Sequence, residues 1–86
     1  MVHEVVQVTH TGGWSLRLRF ANGEVRRVDI REFVTLDGVF EPLRDEAYFA
    51  QVRVEPDLGT IVWPNGADLC PDVLFEKSRA ADADAA

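Results

Sequence analysis

The chain reads as one small α+β domain, with a small antiparallel sheet of four to five strands built from hairpins and two short helices. Three observations predict it. Trp14-Ser15-Leu16-Arg17-Leu18-Arg19-Phe20 alternates large apolar and polar side chains without a break, which is the period of a half-buried strand. Asn22-Gly23 follows, and Asn-Gly between alternating segments signals a hairpin because glycine takes positive φ without steric cost. Two more β-branched runs, Gln51–Glu55 and Gly59–Trp63, flank Pro56-Asp57-Leu58-Gly59, where proline presets φ and glycine closes the turn.

Val2 to Thr9 is rich in valine and free of Gly and Pro, so it reads as a first strand of imperfect alternation, ended by Thr11-Gly12-Gly13. The strand from Trp14 turns Trp14, Leu16, Leu18 and Phe20 inward. Loop length then fixes the register of the first hairpin, because a slip of one residue exchanges the faces. A two-residue loop would put Leu18 opposite Arg27 and Leu16 opposite Asp29 on the buried side. A three-residue loop, Ala21-Asn22-Gly23, instead pairs Phe20 with Glu24, Leu16 with Val28 and Trp14 with Ile30, so a type I turn with a Gly23 bulge is predicted. On that register Arg26 points inward near the tip, with its charged end snorkelling to water.

From Arg31 to Pro42 the apolar residues lose their period, Asp37-Gly38 marks a turn, and the segment reads as a loop that packs. Leu43, Ala47 and Ala50 stand at helical spacing, with Asp45 as N-cap or first-turn acid, so a short helix follows. The Pro56 turn makes the second hairpin. Pro64-Asn65-Gly66 ends its last strand, and Cys70-Pro71-Asp72 opens a final helix, with proline near its first position and Val73, Leu74 and Phe75 to dock it. Residues 1–78 are therefore expected to be one domain. From Ser78 nothing remains to bury, fraying is expected, and 79–86 reads as a disordered acidic tail.

Eighty-six residues make one domain that buries roughly 60–65% of its unfolded surface. With 47% apolar and 28% charged residues, the balance is that of a soluble globular chain, not a disordered or membrane-bound one. No run approaches the roughly 20 apolar residues that cross a bilayer, and Met1-Val2-His3-Glu4 lacks the start of a signal peptide. The lone Cys70 fits a reducing compartment, so a cytoplasmic location is expected, without membrane association. The net charge is −6, and Asp82 and Asp84 supply two of those charges, leaving −4 on the rest. That argues against broad electrostatic capture of nucleic acid.

Three passages carry a resemblance: Phe20-Ala21-Asn22-Gly23-Glu24 leading to Val28-Asp29-Ile30; Gly38-Val39-Phe40-Glu41-Pro42-Leu43-Arg44-Asp45 running to Phe49; and Gly59-Thr60-Ile61-Val62-Trp63-Pro64-Asn65-Gly66-Ala67-Asp68-Leu69. From about Trp14 to Glu76 the chain resembles the family called domain of unknown function 2442, small bacterial proteins found alone or joined to other domains. The resemblance implies an α+β fold with a small antiparallel sheet and short helices, and no activity. It also implies a regulatory or partner-binding role, because members resemble neighbours of toxin-antitoxin-like genes and some are fused to helix-turn-helix units. Beyond Glu76 this chain has too little length for such a unit.

Two surfaces are candidate binding sites. In the loop from Trp63 to Leu69, Trp63 would offer a flat apolar surface, and Asn65 and Asp68 directed polar groups. The plainer reading is architectural, with Asn65-Gly66 turning the chain and Asp68 capping the next turn. The second surface is the outward side of the first hairpin, where Arg17, Arg19 and Arg27 gather and Arg17 faces Arg27. Like charges placed opposite cost stability, so the group fits an anionic partner. Its plainer reading is a solvated face balanced by Asp29 and Glu24.

No catalytic constellation is expected. His3 and His10, seven apart, would fall on opposite strand faces with no cluster to complete a metal site. Cys70 has no histidine or oxyanion motif beside it, and carboxylate pairs such as Asp45-Glu46 and Asp68-Asp72 are what any acidic domain supplies. No metal or cofactor is expected. The favoured function is a non-enzymatic protein-binding or regulatory module, acting with a partner encoded nearby. The alternatives are a nucleic-acid-contacting module using the arginine face, which is not favoured, and a small-molecule binder or enzyme using the Trp63 to Asp68 loop. Exposed sheet edges also make a homodimer plausible.

Overall fold

The computed structural model describes residues 3–80. The chain opens with β1 (Val5–Gly12), β2 (Ser15–Phe20) and β3 (Val25–Asp29). Two 3-10 turns follow, Ile30–Glu32 and Gly38–Arg44, and then helix α1 (Glu46–Phe49). The second hairpin is β4 (Arg53–Glu55) and β5 (Thr60–Val62), after which come helix α2 (Pro71–Lys77) and β6 (Arg79–Ala80). This is an α+β fold. Its strands form two antiparallel sheets instead of one, a four-stranded sheet ordered β1-β2-β3-β6 and a two-stranded β4-β5.

The first hairpin has the register that its loop length dictates. Leu16 lies opposite Val28 and Arg17 opposite Arg27. The Phe20 N–H donates to the Glu24 carbonyl at 2.8 Å and the Gly23 N–H to the Phe20 carbonyl at 2.9 Å, with Gly23 at φ +92°. The Ile30 N–H donates to the Trp14 carbonyl at 3.0 Å and carries the register past the strand ends. Leu16, Leu18, Phe20, Val28 and Ile30 thus face one way, into a core shared with Leu43, Phe49, Ile61, Trp63 and Leu74. Trp14 is half-buried at the rim, its indole N–H bonded to the Leu43 carbonyl at 2.6 Å.

The first strand begins and ends three residues later than its valines indicate, and Val2 lies outside the described residues. The cause is two register shifts, between Val5 and Gln7 and between His10 and Gly12. Each inserts one unpaired residue, Val6 or Thr11, and so blurs the alternation that would mark the strand. Arg31 to Pro42 packs as read, but largely as 3-10 turns. Asp45 caps α1 by accepting the Ala47 N–H at 2.9 Å, and Pro71 opens α2. Within α2, Leu74 is fully buried and Phe75 partly, while Val73 stays exposed.

The chain does not fray at Ser78. Ser78 is 7% exposed, and Arg79 and Ala80 pair with Arg27 and Arg26 as the fourth strand of the sheet. Arg26 explains it. Its guanidinium lies 4.3 Å from the Phe75 ring centroid, bonds the Ser78 Oγ at 2.5 Å and the Ser78 carbonyl at 3.1 Å, and pairs with Glu24 at 2.8 Å. Arg26 therefore points inward as read, yet it fastens the chain after α2 to the sheet instead of reaching for water. Arg79 and Ala80, expected in the acidic tail, therefore belong to the sheet, and the remainder of that expected tail, 81–86, lies outside the described residues.

Candidate functional site

Strand alternation gives the four-stranded sheet two unlike faces. One enters the core. The other carries Gln7 and Thr9 from β1, Arg17 and Arg19 from β2, and Val25, Arg27 and Asp29 from β3. Thr9, Arg17 and Arg27 stand in one cross-strand row, which the backbone pairing continues to Arg79, and Gln7, Arg19 and Val25 form the next. Gln7, Thr9, Arg17, Arg19 and Arg27 are all exposed, so no described element covers this face. An open depression of about 230 Å³ lies on it, lined by Gln7, Thr9, Arg17, Arg19 and Val25.

The bonds at Phe20–Glu24 and Trp14–Ile30 fix the alternation between them, so Arg17 and Arg27 occupy a non-hydrogen-bonded pair. Such partners have Cα atoms about 4.5 Å apart and their side chains at the closest cross-strand approach. The two acids that would balance them are engaged elsewhere. Asp29 binds Arg31, with Arg31 Nη2 to Oδ2 at 3.1 Å, and the guanidinium hydrogen bond holds the Asp29 carboxyl below its ordinary range despite partial burial, which opposes it. Glu24 is taken by Arg26 and by the Asn22 side chain. Among the described residues, Arg17, Arg19 and Arg27 form no ion pair.

The loop after β5 has a different character. Trp63 is 1% exposed, packs on Phe49, and donates its indole N–H to the Phe49 carbonyl at 3.0 Å. Its ring is core and offers no flat surface to a partner. Asn65 Nδ2 donates to the Val39 carbonyl at 2.8 Å and its Oδ1 accepts the Ala67 N–H at 3.1 Å, so both ends of the amide are used internally. Asp68 is exposed and bridges Val62 through its backbone; the cap expected of its carboxylate is not formed. The whole loop repeats the first hairpin turn: Trp63 N–H to Ala67 carbonyl, Gly66 N–H to Trp63 carbonyl, and Gly66 at φ +91°. One aromatic-x-Asn-Gly turn is used twice.

No local pattern signals a third cluster, around His3. The His3 N–H donates to Asp72 Oδ1 at 2.9 Å, its ring Nδ1 stands 3.1 Å from the same oxygen, and the imidazole stacks on Phe75 at 3.8 Å. These bonds, the backbone one foremost, hold the Asp72 carboxyl below its ordinary range. His10 is engaged with the Gly13 carbonyl at 2.9 Å, and Cys70 is exposed at the start of α2. Among the described residues, no three His, Cys, Asp or Glu side chains stand together as metal ligands, and no helix is long and apolar enough to cross a membrane.

A small α+β domain of two antiparallel sheets, with one open sheet face bearing unneutralised arginines, is the class that fold and site define. The chain belongs to the family described as protein of unknown function (DUF2442), whose model matches residues 5–80. The matched span begins with β1 and ends with β6, so it covers every strand of both sheets. No curated protein and no solved structure matches the chain.

Proposed function

We propose that this domain is a non-catalytic protein-binding module whose working surface is the open face of the four-stranded sheet. One observation carries the reading. Arg17 and Arg27 are held side by side at a closely spaced cross-strand position, with Arg19 beside them, and no acid in the described structure neutralises them. Like charges so placed are unfavourable in the free domain, and a ligand that supplies carboxylates relieves the repulsion. The guanidinium fork suits that ligand, because it binds carboxylates through paired hydrogen bonds. A cytoplasmic setting belongs to the same reading, since the exposed Cys70 stays a free thiol there.

The test is fluorescence anisotropy with a labelled glutamate-rich peptide, comparing the parent with an Arg17→Ala/Arg27→Ala double variant whose fold is checked by circular dichroism. Two lost charge contacts of ordinary surface strength weaken binding by about tenfold, and added salt weakens the parent's binding. Equal affinity in parent and double variant would sink the proposal.

A further inference from the structure

The same face also specifies the shape and charge pattern of what it accepts, and this step rests on the protein-binding reading above. We infer that the ligand is a short, extended acidic segment with carboxylates at alternate residues. Arg17 and Arg19 lie two apart on β2 and point to the same side. Their Cα atoms are therefore about 6.6–6.8 Å apart, the spacing of alternate side chains in any extended peptide. An extended segment laid along β2 brings one carboxylate between Arg17 and Arg27 and the next to Arg19. There the depression of about 230 Å³ adds the Gln7 amide and the Thr9 hydroxyl as hydrogen-bonding groups and Val25 as an apolar wall. It has room for one acidic side chain.

The borders of the face limit the length. On this face Asp29 stands at the Ser15 end of the hairpin and only Ala21, Asn22 and Gly23 follow Arg19 at the turn end, so a longer run of negative charge meets no further arginine on β2 or β3. That separates an acidic peptide from a nucleic acid. Three arginines contact at most about three phosphates, which gives a weak, shallow salt dependence for a nucleic acid. The chain's net charge of −6 opposes a long polyanion beyond the contact itself. The outward positions of β1, β2 and β3 also include no aromatic side chain on which an unpaired base could stack. Because the ligand lies on the face and not along a sheet edge, it gains no backbone ladder. Binding is weak and salt-sensitive.

The experiment uses labelled peptides of identical composition in which aspartates alternate with alanines, stand adjacent, or stand four apart, with an oligothymidylate of matched charge as a fourth probe. The alternating peptide is expected to bind at least about threefold more tightly than the other two, the value of one added surface ion pair. Arg19→Ala is expected to remove that preference while leaving residual binding. Equal affinity for the three peptides, with loss in the arginine variants, overturns the alternating pattern and keeps the protein-binding reading. Tightest binding of the four-apart peptide overturns the extended shape in favour of a helix. Tightest binding of the oligothymidylate, or no binding of any probe, overturns both the inference and the reading beneath it.

Discussion

Replacing Arg26 with methionine is expected to destabilise the whole domain, although arginine on a short strand near a hairpin tip looks dispensable. The side chain is 18% exposed and joins three parts of the fold: it stacks on Phe75 of α2, binds Ser78 after that helix, and pairs with Glu24 in the turn before β3. Methionine keeps much of the apolar stem and removes the guanidinium. The two bonds to Ser78 are worth about 1 kcal/mol each. The cation–π contact adds about 0.5–1 kcal/mol, and the pair with half-exposed Glu24 little more than about 0–0.5 kcal/mol. The loss is therefore about 2.5–3.5 kcal/mol, or a fall in melting temperature of roughly 10–28 °C for a domain of this length. Thermal unfolding of Arg26→Met against the parent measures it, and amide exchange at Arg79 and Ala80 shows whether β6 is released. A melting temperature within about 3 °C of the parent refutes the account.

Asp29 and Asp72 both have carboxyls held below their ordinary range, so each contributes stability that is complete above the unfolded value of about 3.9 and is lost as pH falls through the lower folded value. Urea midpoints are expected to hold steady from pH 7 to about pH 5 and to drop below about pH 4, with a smaller drop in Asp72→Asn. The two Asn-Gly turns supply a matched pair of variants. Gly23 and Gly66 sit at φ +92° and +91° with open space where a Cβ would go, so Gly23→Ala and Gly66→Ala carry backbone strain alone. Each is expected to cost about 1–2 kcal/mol in chemical denaturation. A cost at one turn without the other contradicts their equivalence.

What could be read in the sequence was what local parity decides. The strict alternation of β2, with a three-residue loop, admits one register that buries Leu16 opposite Val28, and that same register places Arg17 against Arg27. The start of α2 was equally legible, because proline at a first helical position is a local preference. The bounds of β1 were hidden by two inserted residues, which no propensity marks. Ser78 to Ala80 holds no large apolar side chain, and its pairing depends on Arg26, 52 residues earlier, so no window of sequence could show it. The His3–Asp72 contact spans 69 residues and was invisible for the same reason. The arginines of the candidate face were legible, but their lack of neutralising acids was not. Asp29 and Glu24 were near enough in sequence to serve, and only side-chain direction at the strand ends shows them bound to Arg31 and Arg26. The Trp63 loop shows the opposite case: its unusual residues suggest a binding surface, whereas Trp63 is buried in the core and the Asn65 amide is spent on closing the turn.

Stability itself separates a working arginine face from a merely structural one. Residues retained to hold a sheet together destabilise it when replaced, whereas residues retained for a ligand at the domain's own expense do not. Arg27 faces Arg17 in a closely spaced pair and forms no ion pair among the described residues, since the nearby Asp29 is bound to Arg31, so Arg27→Thr, which keeps a good strand former at the position, removes repulsion. The variant is expected to match or exceed the parent by about 0.2–1 kcal/mol at low ionic strength. The difference should fade toward 1 M salt, where the screening length falls to about 3 Å. The same substitution weakens acidic-peptide binding, so stability and binding move in opposite directions. If Arg27→Thr instead loses more than about 0.5 kcal/mol at low salt, the arginine stems are holding the sheet through their packing and the row has a structural cause. Under that outcome the unneutralised charge no longer points to a partner.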